Sequence, residues 1–235
     1  MVTDFHSHIL PGIDDGSQSI EESVEMLRIT AAQGIRRVVA TPHFYPQQDD
    51  LNRFLKKRDA AERMLREKIE NDDGVPEISI GAEVYYFPGI SESGALSRLT
   101  IGKKRYILLE MPQSPWSSQM YREVENIYVK QGITPIIAHV DRYIDVFRTH
   151  GIPERLAELP ILVQANASFF LNRWTTCMAM RMLKRGQIHL LGSDCHNLRS
   201  RPPRLGPAVE VIRRQLGENV LENIMQCEDL ILCDI

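Results

Sequence analysis

Short apolar runs recur along the chain, most of them followed by a stretch with helical spacing. The first covers Val2 to Phe5 and runs into His6-Ser7-His8, after which Pro11, Gly12, Asp14, Asp15 and Gly16 make a turn-rich loop. Ser19 to Glu22 has the S-x-x-E form of a helix capping box. Ile20, Val24, Leu27 and Ala31 then recur at helical spacing and Gly34 acts as a stop, which predicts an amphipathic helix on the outside of a sheet. Val38 to Ala40 end at Thr41-Pro42-His43, and a helix rich in Lys, Arg and Glu is predicted from about Leu51 to Ile69, its charges a solvated face. Further strands are expected at Ile78 to Glu83, Ile107 to Glu110, Ile133 to Ala138, Ile161 to Ala165 and Ile188 to Gly192. Helices are expected near Ser118 to Lys130, Trp174 to Arg185, Ala208 to Gln215 and Glu218 to Met225.

The strand runs are nearly continuous in apolar residues instead of alternating, as parallel strands buried on both faces require. Seven such runs alternating with helices predict an α/β fold, and favour a closed TIM-like barrel over an open sheet. No linker-like shift in composition interrupts the pattern, so residues 1–235 are expected to form a single domain.

Composition narrows the setting. A hydrophobic fraction of 43% and a charged fraction of 25% are those of an ordinary globule, with no stretch long enough to span a bilayer. The net charge of -3 and scattered Lys and Arg argue against nucleic acid as a partner. Thr3, Asp4 and His6 follow Met1 closely, without a basic segment and a long apolar run, so a cytoplasmic location is expected. Cys177, Cys195, Cys227 and Cys233 contain no C-x-x-C pair and are expected to be reduced there.

The chemistry lies at the ends of the apolar runs. His6-x-His8 alone is a weak signal, since strand residues two apart merely share a face. Thr-Pro-His43, Gly-Ala-Glu83, Leu-Leu-Glu110, Ile-Ala-His139 and Gly-Ser-Asp194-Cys-His196 then recur at equivalent points of successive units. With Asp15 these make nine candidate ligands, five of them among the chain's seven histidines. All strand C-terminal ends of a parallel barrel open on one face, so the nine converge there. Glu110 could instead pair with an arginine and His139 could be a core histidine, but a Glu directly after Ile-Leu-Leu is costly to bury unless paired or metal-bound. Imidazole and carboxylate without thiolate suit Mn²⁺, Fe²⁺, Zn²⁺ or Mg²⁺. Nine ligands exceed the needs of one ion, and two or three ions imply hydrolysis, most plausibly of a phosphoester.

The segments D-F-H-S-H-I-L-P-G-I-D-D-G at the start, A-T-P-H at 40–43, G-A-E-V-Y-Y at 81–86, I-A-H-V-D-R-Y at 137–143 and S-D-C-H-N-L-R-S-R-P-P at 193–203 together resemble the PHP (polymerase and histidinol phosphatase) superfamily. Within it the chain is similar to the bacterial tyrosine phosphatases of capsular and extracellular polysaccharide synthesis. The resemblance implies a distorted (β/α)7 barrel, three divalent metal ions with Mn²⁺ foremost, and hydrolysis of phosphotyrosine in a protein. It also implies a partner, an autophosphorylating bacterial tyrosine kinase. Carried over to this sequence, it makes His6, His8, Asp15, His43, Glu83, Glu110, His139, Asp194 and His196 the metal ligands, with Asp15 preferred to Asp14, which is expected to shape the loop instead. Arg142 and Arg201 match arginines that contact substrate phosphate, a sensible use of guanidinium forks. The expected reaction is in-line attack of a metal-bridging hydroxide on phosphorus without a phosphoenzyme; a phenolate leaving group, with a pKa of about 10, needs less protonation than an alkoxide.

Other functions compete. Cys195 and Arg201 have the C-x5-R spacing of cysteine-dependent phosphatases, but the residues between them include no glycine and do include His196. A PHP phosphoesterase acting on histidinol phosphate or another small phosphomonoester keeps the same metals. An amidohydrolase also begins with H-x-H in a barrel, yet fits the two strand-end glutamates less well. A non-catalytic adaptor for polysaccharide assembly would be expected to have lost ligands, and all nine are present. Helical faces such as Ile20 to Gln33 suit a homo-oligomer interface and core packing equally.

Overall fold

A computed structural model of the chain describes residues 1–102, 105–147 and 151–232, so Cys233 lies outside the described residues. The strands are β1 (Thr3–Ser7), β2 (Arg37–Ala40), β3 (His43–Phe44), β4 (Glu77–Ile80), β5 (Glu83–Tyr85), β6 (Tyr106–Glu110), β7 (Thr134–Ile137), β8 (Leu162–Asn166) and β9 (Leu190–Gly192). Between and after them come the helices α1 (Ile20–Ala32), α2 (Leu51–Ile69), α3 (Ser118–Gln131), α4 (Asp141–Phe147), α5 (Ile152–Ala157), α6 (Ala167–Leu171), α7 (Thr176–Lys184), α8 (Leu205–Leu216) and α9 (Glu218–Leu232). All the strand pairings are parallel, in the orders β1-β2-β4 and β3-β5-β6-β7-β8-β9. An isolated parallel bridge joins Ser7, at the end of β1, to Cys195, just beyond β9. The result is an α/β fold whose curled parallel sheet is that of a distorted TIM-like barrel.

The distortion is local and has physical causes. The run expected as one strand from Ile78 to Glu83 is interrupted at Gly81 and Ala82, and β2 is separated from β3 by Thr41 and Pro42. Proline has no N–H for a ladder, and Pro42 contributes only its carbonyl, which accepts from Glu83 N–H at 3.0 Å. Gly81 is required by close approach, since a Cβ there would lie 2.8 Å from Ile101 Cγ1.

Alternate strand residues divide between two apolar clusters, as burial on both faces requires. Phe5, Val39, Leu108, Ile136 and Leu190 form an inner cluster closed by Ile101 and Ile231, while Val38, Ala40, Ile107, Leu109, Ile137, Val163 and Leu191 face the outer one beneath the helices. The period of two then carries the inner face into the site: Leu108 is followed by Glu110, Leu162 by Gln164 and Asn166, and Leu190 by Gly192 and Asp194. A register shift between Asp4 and Ser7 offsets His6 and His8 from Phe5.

The helices differ from expectation in detail. Ser19 caps α1, its side chain accepting from Glu22 N–H at 3.2 Å, but Glu22 reaches back to Gln18 N–H at 3.0 Å, so the capping box is displaced by one residue. The α2 boundaries agree with the periodicity, and Asp50 caps it by accepting from Arg53 N–H at 2.8 Å. Helices α4, α5 and α6 were not anticipated, being too short for two turns of hydrophobic repeat to show. No described helix is long and apolar enough to cross a membrane.

Candidate metal centre

The nine residues singled out in the sequence come together at the C-terminal ends of the strands. His6 Nε2 lies 3.2 Å from His8 Nε2, 3.2 Å from Glu83 Oε2 and 3.6 Å from Asp194 Oδ1. Glu83 is central: its Oε2 is 2.9 Å from His43 Nδ1 and its Oε1 2.8 Å from His139 Nε2, which is also 3.6 Å from Glu110 Oε1. Asp15 Oδ1 sits 3.4 Å from both His43 Nε2 and His196 Nε2. The donor atoms fall into groups that could hold an ion, namely His8, Asp15, His43 and His196; His6, His8 and Asp194; and His43, Glu83 and Glu110.

These side chains fit cations better than they fit one another. Glu83 Oε2, His43 Nδ1, Asp194 Oδ1 and His196 Nε2 are buried without a hydrogen bond of acceptable geometry, despite the short separations. Orphaned buried donors and acceptors are rare in folded proteins, and their convergence here suits an ion that accepts lone pairs from several directions. His139 and Asp194 also adopt φ values of 31° and 53°, the left-handed region that non-glycine residues avoid. Such strain concentrates at functional sites.

Electrostatics tell the same story. Burial alone would raise Glu83, but His6, His139 and His43 around it hold its carboxyl well below the usual range. Burial is likewise outweighed at Asp194, where His6, Arg142 and His8 keep the carboxylate ionised. At Glu110 burial and the neighbouring Glu83 outweigh His43, Arg142 and His6, and push the carboxyl up to about 7. Burial and the charge on His8 push His196 down to about 3, which favours the neutral, ligating imidazole.

Asp14 and Asp15 take different parts. Asp14 turns inward, accepting from His8 Nδ1 at 2.8 Å, from His43 N–H at 2.9 Å and from Gly16 N–H at 2.9 Å. Asp15 presents its carboxylate to His43 and His196 from an exposed loop position. Arg142 and Arg201 both engage Asp194, Arg142 through Oδ2 and Arg201 with Nη2 2.5 Å from Oδ1. They line a cavity of about 510 Å³ with Asn166, Ser168, Asn172 and Arg204, open beside the donor cluster.

Cys195 is placed for structure. It is 1% exposed, its carbonyl accepts from His8 N–H at 2.9 Å, and burial pushes its thiol well above the ordinary range. The N–H groups of Arg199, Ser200 and Arg201 all donate to Asn197 Oδ1, at 2.9, 2.8 and 3.2 Å, so none forms a cradle for an anion around that thiol. Sequence reasoning missed Gln164 and Asn166, polar residues two apart within the buried run of β8. Their spacing is that of His6 and His8, and was the available signal.

The profile of the capsular polysaccharide synthesis family CpsB/CapC matches residues 2–230. The chain belongs to this family. The tyrosine-protein phosphatase CpsB of Streptococcus pneumoniae is 31% identical over 229 residues, covering 91% of this chain and 90% of that protein. The tyrosine-protein phosphatase YwqE of Bacillus subtilis (strain 168) is 25% identical over 237 residues, 97% of this chain and 91% of its own. A crystal structure from the pair YwqE and CpsB, described as unique metal-dependent tyrosine phosphatases, superposes with a TM-score of 0.86 at 23% identity, covering 98% of this chain and 94% of the other. The family recognised from the strand-end motifs is therefore the one to which the chain is assigned, and the shared fold extends over nearly its whole length.

Proposed function

We propose that this chain is a metal-dependent protein-tyrosine phosphatase that removes phosphate from an autophosphorylating bacterial tyrosine kinase controlling capsular or extracellular polysaccharide synthesis. The observation that carries this is the meeting, at Asp194, of a dense imidazole and carboxylate cluster with two arginines that line one cavity. Similarity to proteins named tyrosine phosphatases supports the choice of substrate. The chain is taken as one PHP-type domain over residues 1–235, a (β/α)7 barrel in which β2 with β3 and β4 with β5 each count as one interrupted strand, working in the cytoplasm.

His6, His8, Asp15, His43, Glu83, Glu110, His139, Asp194 and His196 would hold three divalent ions, Mn²⁺ foremost. Bound there, such ions supply a nucleophile at neutral pH and neutralise charge on the phosphoryl group. The chain's own residues do the positioning. Asp194 holds the guanidinium groups of Arg142 and Arg201 at the cavity mouth, where their N–H forks meet the non-bridging phosphoryl oxygens. Tyr45, its ring 5.1 Å from His43 and 5.7 Å from Tyr85, offers an aromatic face for the phenyl ring of the substrate. A phenolate departs without a strong general acid, since its pKa of about 10 is close to neutral compared with that of an alkoxide.

The test is turnover of phosphotyrosine peptides against histidinol phosphate by the Mn²⁺-loaded protein. A kcat/KM at least ~100-fold higher on the peptides is expected, equivalent to about 2.7 kcal/mol of transition-state discrimination. Preference for histidinol phosphate would overturn the substrate assignment.

A further inference from the structure

Strand β8 supplies none of the nine donor residues, yet it carries two buried amides directly behind them. Gln164 is fully buried and Asn166 4% exposed. Three hydrogen bonds link them to three residues of the cluster, and a fourth joins the two amides. His139 N–H donates to Gln164 Oε1 at 2.6 Å, His6 Nδ1 lies 3.3 Å from the same oxygen, Gln164 Nε2 donates to Asn166 Oδ1 at 3.0 Å, and Asn166 Nδ2 donates to Asp194 Oδ2 at 3.0 Å.

The direction of this chain of bonds is fixed by one backbone group. An N–H can only donate, so the Gln164 atom facing His139 N–H is the carbonyl oxygen. That oxygen can only accept from His6, so His6 carries its proton on Nδ1 and leaves the Nε2 lone pair free. Nε2 is the atom that faces His8, Glu83 and Asp194. At the other end, the amide nitrogen of Gln164 requires an acceptor, which turns Asn166 Nδ2 onto Asp194 Oδ2, an oxygen it shares with Arg142, while Oδ1 faces Arg201 and the His6 and His8 nitrogens. Asp141 Oδ1 accepts from the backbone N–H of Asn166 at 3.0 Å and pins the strand end.

The packing is tight on the β9 side. A Cβ at Gly192, the β9 partner of Asn166, would lie 2.6 Å from Gln164 Nε2 and 2.6 Å from His6 Cβ. Glycine at this point is what lets the amide lie against the histidine.

We infer that Gln164 and Asn166 are positioning residues of the metal centre: through one oriented relay they fix the tautomer of His6 and help to fix the rotamer of Asp194. This rests on the metal-centre assignment above. Groups that fix ligating imidazoles and carboxylates in this way typically change metal affinity by 10- to 100-fold when removed.

The experiment compares wild type with Gln164→Leu and Asn166→Ala. Asn166 lines the cavity, so its truncation opens onto existing space and keeps the test valid where Gln164→Leu does not fold. Mn²⁺ affinity is measured by titration of each apoprotein. The ring-nitrogen ¹⁵N resonances of His6 are recorded on the Zn²⁺-loaded proteins. The inference predicts Mn²⁺ binding weakened roughly 10- to 100-fold in both variants, and a His6 Nδ1 resonance of the protonated, hydrogen-bonded type that is shifted in Gln164→Leu. Folded variants with wild-type Mn²⁺ affinity and unshifted His6 resonances would overturn the relay while leaving the metal centre intact. A wild type that binds no Mn²⁺ or Zn²⁺ would overturn both.

Discussion

Asp14 Oδ2 accepts a hydrogen bond from His8 Nδ1 at 2.8 Å, while the neighbouring Asp15 turns its carboxylate toward His43 and His196. Adjacent aspartates thus serve opposite sides of one cluster. The Asp14 carboxylate, held well below its ordinary range by His8 and by the N–H groups of His43 and Gly16 in spite of burial, keeps the His8 proton on Nδ1 and its Nε2 directed inward. Asp14→Ala is therefore expected to weaken Mn²⁺ binding by about 10- to 100-fold although Asp14 is not among the nine proposed ligands. Asp14→Asn, which keeps an acceptor oxygen, should recover part of the loss. Metal titration of the two variants checks this, and equal affinities in both and wild type would contradict it.

Much of the site was legible because a parallel barrel converts position along each unit into a place in space. His43, Glu83, Glu110, His139 and Asp194 were readable from apolar runs alone, since every strand end faces the same side. Asp15 was preferred to Asp14 through the family resemblance alone, because which side chain turns toward the cluster is a matter of loop conformation that the residues themselves do not announce. Gln164 and Asn166 escaped because amides in a buried strand carry no charge to draw notice, although their spacing marked them. The break at Gly81-Ala82 was hidden for another reason: neither residue is a polar interruption of the run, and only the hydrogen-bond partners change there, from β2 to β3 and β6.

Arg201 should act on chemistry more than on folding. It is 37% exposed at the cavity and meets Asp194 there. Arg201→Ala is expected to lower kcat/KM on a phosphotyrosine peptide by about 10²–10³-fold, as removal of one preorganised donor to a developing charge does. Arg201→Lys should restore only part, because an ammonium cannot reproduce the fork. Retention of full turnover by Arg201→Ala would remove it from the phosphate-binding role.

Cys195→Ser should remain active and sensitive to chelators. The thiol is buried and its pKa raised, and what the residue contributes is a backbone carbonyl to His8 N–H, which the substitution keeps. Burying a hydroxyl without a guaranteed partner costs about 1–3 kcal/mol, so a lower unfolding temperature is expected without loss of turnover. Complete loss of activity with metal still bound would instead support a thiolate nucleophile.

Glu228 gives the protein a pH-dependent stability remote from the site. Burial outweighs the Thr3 N–H, 2.8 Å from Oε2, and the Arg37 guanidinium, which is 3.8 Å away and closer to Asp229 at 2.7 Å, so the carboxyl is raised from 4.5 to about 8. The folded state therefore binds a proton that the unfolded state releases, and this contribution is complete below about pH 4.5, declines through the interval and is gone above about pH 8. Glu228→Gln, permanently neutral, should flatten the fall in unfolding temperature across that interval. A wild-type profile no steeper than that of the variant would contradict the assignment.

The central claim is that hydrolysis belongs to the metal-loaded cluster around Glu83. The most direct measurement is metal content, by elemental analysis, of the same preparation whose phosphotyrosine phosphatase activity is followed through chelation and Mn²⁺ restoration. Activity should fall with metal content to background and return with it, while Glu83→Ala neither retains metal nor regains turnover. A metal-free preparation that is fully active would contradict the account.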